Sequence, residues 1–229
     1  VLSKALLVAV FLYPATQWLA YATTIQPGST VVFWPHAGVI LAVFLMLERS
    51  RWPLAIVLLL VVSMLCNWLT GQALSFNVLI SLKDVAVGLF SVWIYRIWAD
   101  HKLPIADTKT IGRFFAITLL GAALSALGGA TIMVLLHGAP VSETWLTRFG
   151  ATVLGTLLVT PAILSISTTK VQDLLEATNT EFLLIAALTA VFLFISYWSA
   201  SGSAHIVLAT ALLILPCLIW ISVRFDVAL

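Results

Sequence analysis

The sequence predicts an all-α fold, a polytopic bundle of about eight transmembrane helices with both termini cytoplasmic. Three observations predict it. Of 229 residues, 62% are apolar and only 9% charged, where an ordinary soluble domain carries about 25% charged residues. Apolar stretches recur at the length of about 20 residues that a bilayer requires. Nine of the eleven lysines and arginines then fall on one side of the resulting bundle. Twenty charges could not cover the surface of a soluble fold of this size, and no loop is long enough to form a separate soluble domain.

The first span covers residues 2–22, opening at Lys4 and the apolar run from Ala5. No small-residue cleavage site follows a short apolar core, so it reads as a retained span rather than a signal peptide. The break Gln26-Pro27-Gly28-Ser29 separates it from the second, 31–47. Trp34-Pro35 there, and Trp52-Pro53 in the third (52–69), place proline in a first helical turn, where its missing N–H is harmless. Thr70-Gly71-Gln72 is a turn before the fourth span, 77–98. A mixed-charge loop over 99–113 precedes the fifth (114–136), and Gly138-Ala139-Pro140 precedes the sixth (144–166). Residues 167–181 are expected to form an inner loop, with a short amphipathic turn at the membrane surface. The seventh and eighth spans, 182–199 and 205–223, flank Ser201-Gly202-Ser203.

With the amino terminus inside, the cytoplasmic side holds Lys4, Arg49, Arg51, Arg96, Lys102, Lys109, Arg113, Lys170 and Arg224. Only Lys83 and Arg148 lie in the outer half, a strong positive-inside bias. Seven of nine tryptophans, at 18, 34, 52, 68, 98, 145 and 198, sit near span ends as an interfacial belt. Outer loops are short and nearly uncharged, so any ligand has to be read by the bundle itself. Cys66 and Cys217 both lie in apolar segments and form neither a disulfide framework nor a metal motif.

The fourth span is the most informative. Asn77, Ser81, Asp84, Gly88, Ser91 and Tyr95 recur at steps of three and four and share one helical face. Such a stripe must face protein or a cavity rather than lipid. Asp84 lies about 10 Å into the span at 1.5 Å per residue, where an isolated carboxylate costs about 2.5–3.5 kcal/mol. Two readings stand: a ligand, cation or proton site, or a carboxyl group that hydrogen-bonds helices together. Lys83 projects about 100° away and is expected to snorkel outward, with pairing to an acid as the alternative. His36, His137 and His205 fall at outer span ends; with Glu143 and Arg148 they could form a polar rim. Solvated or interfacial histidines are favoured over metal ligands, since no pair has diagnostic spacing.

Gly121, Ser125 and Gly129 form a small-residue stripe that allows close helix packing. Gly155 and Thr160-Pro161 are expected to relieve or kink the sixth span, the threonine satisfying freed backbone groups. No phosphate loop, nucleophile–base pair or nucleic-acid footprint is present, so no enzyme active site, cofactor or nucleic-acid partner is expected here.

Several short motifs in this order resemble the bacterial membrane-associated sensor domain of the first type (the MASE group). They are Phe33-Trp34-Pro35-His36-Ala37-Gly38, Arg51-Trp52-Pro53, Asn67, Ser81-x-x-Asp84-x-x-x-Gly88, Leu154-Gly155-Thr156 through Thr160-Pro161, and Pro216-x-x-x-Trp220-x-x-x-Arg224-Phe225. The family's fourth-span motif commonly reads Asn-x-x-acid, where this chain has Ser81-x-x-Asp84. The resemblance implies a sensory input region in the bacterial inner membrane, ahead of a diguanylate cyclase or histidine kinase output module expected beyond Leu229. A homodimer is expected. A pocket bounded by Trp34, His36, Asn67, Asp84 and Arg148 is the expected site for an unknown small ligand. A small transporter or substrate-binding membrane component is the alternative reading.

Overall fold

The computed structural model describes residues 2–22, 33–99, 107–138 and 141–168. The expected seventh and eighth spans, with His205 and Arg224-Phe225, lie outside the described residues. Among those described, every regular element is helical and none is a strand. Four helices are long and apolar enough to cross a membrane, and two shorter apolar helices accompany them.

The first expected span is one helical rod in three parts: α1 (Leu2–Leu7), a π-helical run at Val8–Leu12, and α2 (Tyr13–Ala22). The π-helical run sits just before Pro14, which has no N–H to give to the preceding turn; a wider turn absorbs that loss. Ala5, Ala9, Tyr13, Gln17 and Ala20 form its buried stripe.

The second expected span, 31–47, is helical over a shorter stretch than expected. Its helix, α3, runs only from Pro35 to Met46, about 18 Å at 1.5 Å per residue, short of the roughly 30 Å hydrocarbon core. Nine of its twelve residues are buried. A helix apolar on all sides belongs in a protein core or a membrane, and here α3 is enclosed by α2, α5 and α7. A 3-10 turn at Arg49–Arg51 leads into α4 (Trp52–Leu69), and Gly71, at φ 76°, makes the turn to α5 (Leu74–Trp98).

Helix α6 (Thr108–His137) begins six residues before the expected start. Asp107 causes the difference: its carboxylate accepts from the Thr110 N–H at 2.8 Å, an N-cap that draws the charged turn of Lys109 and Arg113 into the helix. Gly138, at φ 64°, closes α6 in the left-handed conformation that favours glycine. Helix α7 (Val141–Thr168) continues through Pro161. It packs on α3 and α6, while α5 packs on α3, α4 and α6.

The last carbonyls of α3 lack intrahelical partners, and two side chains supply them. The Trp52 indole N–H lies 3.3 Å from the Phe44 and Leu47 oxygens. Arg96 of α5 donates to the carbonyls of Phe44, Leu45 and Leu47, its guanidinium 5.0 Å from the Trp52 ring centroid. Arg96 thus locks the lower end of α3 to α5.

Candidate sensing site

Helix α5 presents its polar face inward. Asn77, Ser81, Asp84, Ser91 and Tyr95 are all buried. Gly88 lies against Ile40 of α3, whose methyl group occupies the place a Cβ would need. Asp84 therefore points into the bundle at the level where α3 begins.

Three basic side chains surround that carboxylate or its neighbours. Lys83 Nζ lies 2.5 Å from Asp84 Oδ1. His36 Nε2, at the start of α3, lies 3.7 Å from Oδ2. The Arg148 guanidinium of α7 lies 5.3 Å from the Trp34 ring centroid, and Trp34 in turn lies 4.9 Å from the His36 ring. The Tyr13 ring meets His36 edge-on at 5.4 Å. Lys83 also donates to the Ser125 hydroxyl of α6 at 3.0 Å. One polar cluster thus joins α3, α5, α6 and α7.

Three expectations are corrected here. Lys83 does not snorkel outward: its side chain is 12% exposed and crosses to Asp84 and Ser125. A long flexible stem can cover the 100° between adjacent helix positions, and the buried carboxylate makes the inward rotamer favourable. His36 is not a rim residue, being 2% exposed, because the rings of Tyr13 and Trp34 pack against it. Trp34 is likewise buried rather than interfacial. His137 is exposed at the end of α6, its ring 5.9 Å from Phe76, and does not join His36; His205 lies outside the described residues.

Of the five residues expected to bound a pocket, Trp34, His36, Asp84 and Arg148 come together. Asn67 belongs to an adjoining network one helical turn away. Its carbonyl oxygen accepts from Gln17 Nε2 at 2.6 Å, and its amide donates to Ser81 Oγ at 3.2 Å. Ser81 Oγ lies 2.8 Å from Ser63 Oγ, so this second network ties α2, α4 and α5 together.

Glycines admit the polar side chains. A Cβ at Gly129 would stand 3.0 Å from Arg148 Cδ, and one at Gly121 would collide with Ser91 Oγ. Ser125, between them in the stripe, is a hydrogen-bond acceptor for Lys83 rather than only a packing residue. Backbones meet most closely between α3 and α7, where a Cβ at Gly38 would come within 2.5 Å of the Gly155 oxygen. Thr160 does not satisfy its own helix, as expected of it; its hydroxyl donates to the Gly38 carbonyl at 2.9 Å.

Ser125 is a site residue that the sequence analysis read only as packing, and Lys83 takes the pairing that it held as the alternative. The Lys83–Asp84 adjacency was the available signal, since two opposite charges inside a span stabilise one another more readily than either alone. Among the described residues, no three of His, Cys, Asp and Glu gather in a group that could hold a metal ion. The cluster links the helices through an ion pair and side-chain hydrogen bonds. The sequence model of the MASE1 family matches residues 4–229. No curated protein and no solved structure matches the chain.

Proposed function

The chain belongs to the MASE1 family of membrane-associated sensory domains, and from that membership we propose that it is the input domain of a bacterial inner-membrane receptor. It receives a small ligand or a membrane signal and passes it to a cytoplasmic diguanylate cyclase or histidine kinase in the same polypeptide, as part of a homodimer.

One observation carries the assignment of the input to Trp34, His36, Asp84 and Arg148. Asp84 is a buried carboxylate whose two oxygens face side chains of different character, Lys83 and His36, and those side chains connect to separate helices. A stimulus that favours one pairing over the other shifts α3 against α5 and α6. Each tenfold difference in its affinity for the two packings is worth about 1.4 kcal/mol. Asn67 supports the same helix one turn above Asp84 through Ser81.

Output activity of the full-length protein tests this. Asp84→Asn keeps size and hydrogen bonding but removes the charge, and Trp34→Ala removes the platform between His36 and Arg148. Both should still insert in the membrane, Asp84→Asn with lowered stability because Lys83 loses its buried partner, and both should lose the response to the native stimulus. A parental response in both variants would make the cluster purely structural.

A further inference from the structure

A small cavity opens beside Asp84 where α3, α5, α6 and α7 meet, with a volume of about 30 Å³. Its polar lining comes from Asp84, Ser91, Thr118, Ser125, Thr152 and Thr156, all buried. Thr118 is 3% exposed, and its hydroxyl has no hydrogen-bond partner among the described residues. A threonine within a helix commonly bonds back to the carbonyl four residues earlier; this one does not. A buried hydroxyl left without a partner costs about 1–3 kcal/mol, so the site calls for an occupant with hydrogen-bonding capacity.

Volume and charge select that occupant. A water molecule needs roughly 10–15 Å³ of such space and two to four polar partners, whereas benzene occupies a cavity of about 150 Å³. The space beside Asp84 therefore admits one or two waters and excludes an organic ligand in this packing. A metal cation is disfavoured because the Lys83 ammonium already neutralises Asp84 at 2.5 Å. Adding another cation would bury net positive charge, with a penalty of several kcal/mol. An anion would meet the Asp84 carboxylate. Neutral water meets neither objection.

We propose that this cavity is an internal hydration site, binding one or two water molecules that satisfy the Thr118 hydroxyl of α6. The site stands on its own geometry and does not depend on the sensory role. Where that role holds, an organic stimulus has to approach His36 and Asp84 from the side of Trp34 and Arg148.

The experiment is a high-resolution crystal structure of the protein in lipid, for the parent, Thr118→Val and Thr118→Ser. Water density should lie about 3 Å from the Thr118 oxygen, persist in the serine variant and vanish in the isosteric valine variant. A dry cavity in the parent, or unchanged density in Thr118→Val, overturns the proposal. Thermal unfolding of the parent in sodium chloride and in choline chloride of equal ionic strength gives an arm independent of the variants. Equal midpoints are expected; a sodium-specific rise would identify a cation as the occupant and overturn the proposal as well.

Discussion

Lys83 and Asp84 are neighbours in the chain and partners in space, their side chains closing a 2.5 Å ion pair inside the bundle. Removing one member of a buried pair leaves an uncompensated charge, a loss of about 3–5 kcal/mol. Lys83→Met should therefore lower the unfolding midpoint strongly, and Lys83→Met with Asp84→Leu should recover much of it. A double variant no more stable than Lys83→Met would show that the pair is not energetically coupled.

The backbone approach between α3 and α7 leaves no room for a methyl group. A Cβ at Gly155 would overlap the Trp34 carbonyl oxygen, a backbone atom that cannot swing aside. Gly155→Ala should destabilise by about 1–3 kcal/mol, the cost of overpacking. Gly112, with open space around its Cβ position, is the control: Gly112→Ala should be neutral or stabilising by up to about 1 kcal/mol through helix propensity. Equal effects at both positions in detergent unfolding would refute the close contact.

Asn67 satisfies Gln17 across α2 and α4 with a 2.6 Å bond. Asn67→Leu should strand the Gln17 amide and cost about 1–3 kcal/mol, and Gln17→Leu in the same chain should restore part of it. Additive losses in the double variant would mean that the two side chains are not coupled.

The charge asymmetry predicts sidedness. Single cysteines at Ser50 and Thr108, both exposed, should react with an impermeant thiol reagent only after permeabilisation, and cysteines at Gln72 and Ser142 in intact cells. The reverse pattern at most of these positions would invert the orientation.

Glycine substitution at the α5–α6 contact probes the same architecture from another side. Gly121→Leu drives a side chain into Ser91 and should lower stability by about 1–3 kcal/mol, detectable as a lower unfolding midpoint. An unchanged midpoint would place α6 farther from α5 than the packing described here.

What the sequence by itself determined is what one helix can report about itself. Composition set the membrane class, the turns at Gly71 and Gly138 marked helix ends, and the three-and-four spacing from Asn77 to Tyr95 identified the buried face of α5. These are local properties, readable from the chain's own periodicity. Only the tertiary structure decided what that face meets. The length of α3 was hidden because an apolar run looks the same whether lipid or protein surrounds it; burial on all sides distinguishes the two. The inward turn of Lys83 depended on Ser125 from a helix more than forty residues away. His36 and Trp34 became interior residues because Gly38 and Gly155 let α3 and α7 approach closely. Partner identity in a bundle follows from helix rotation and depth, which side-chain packing between distant segments sets.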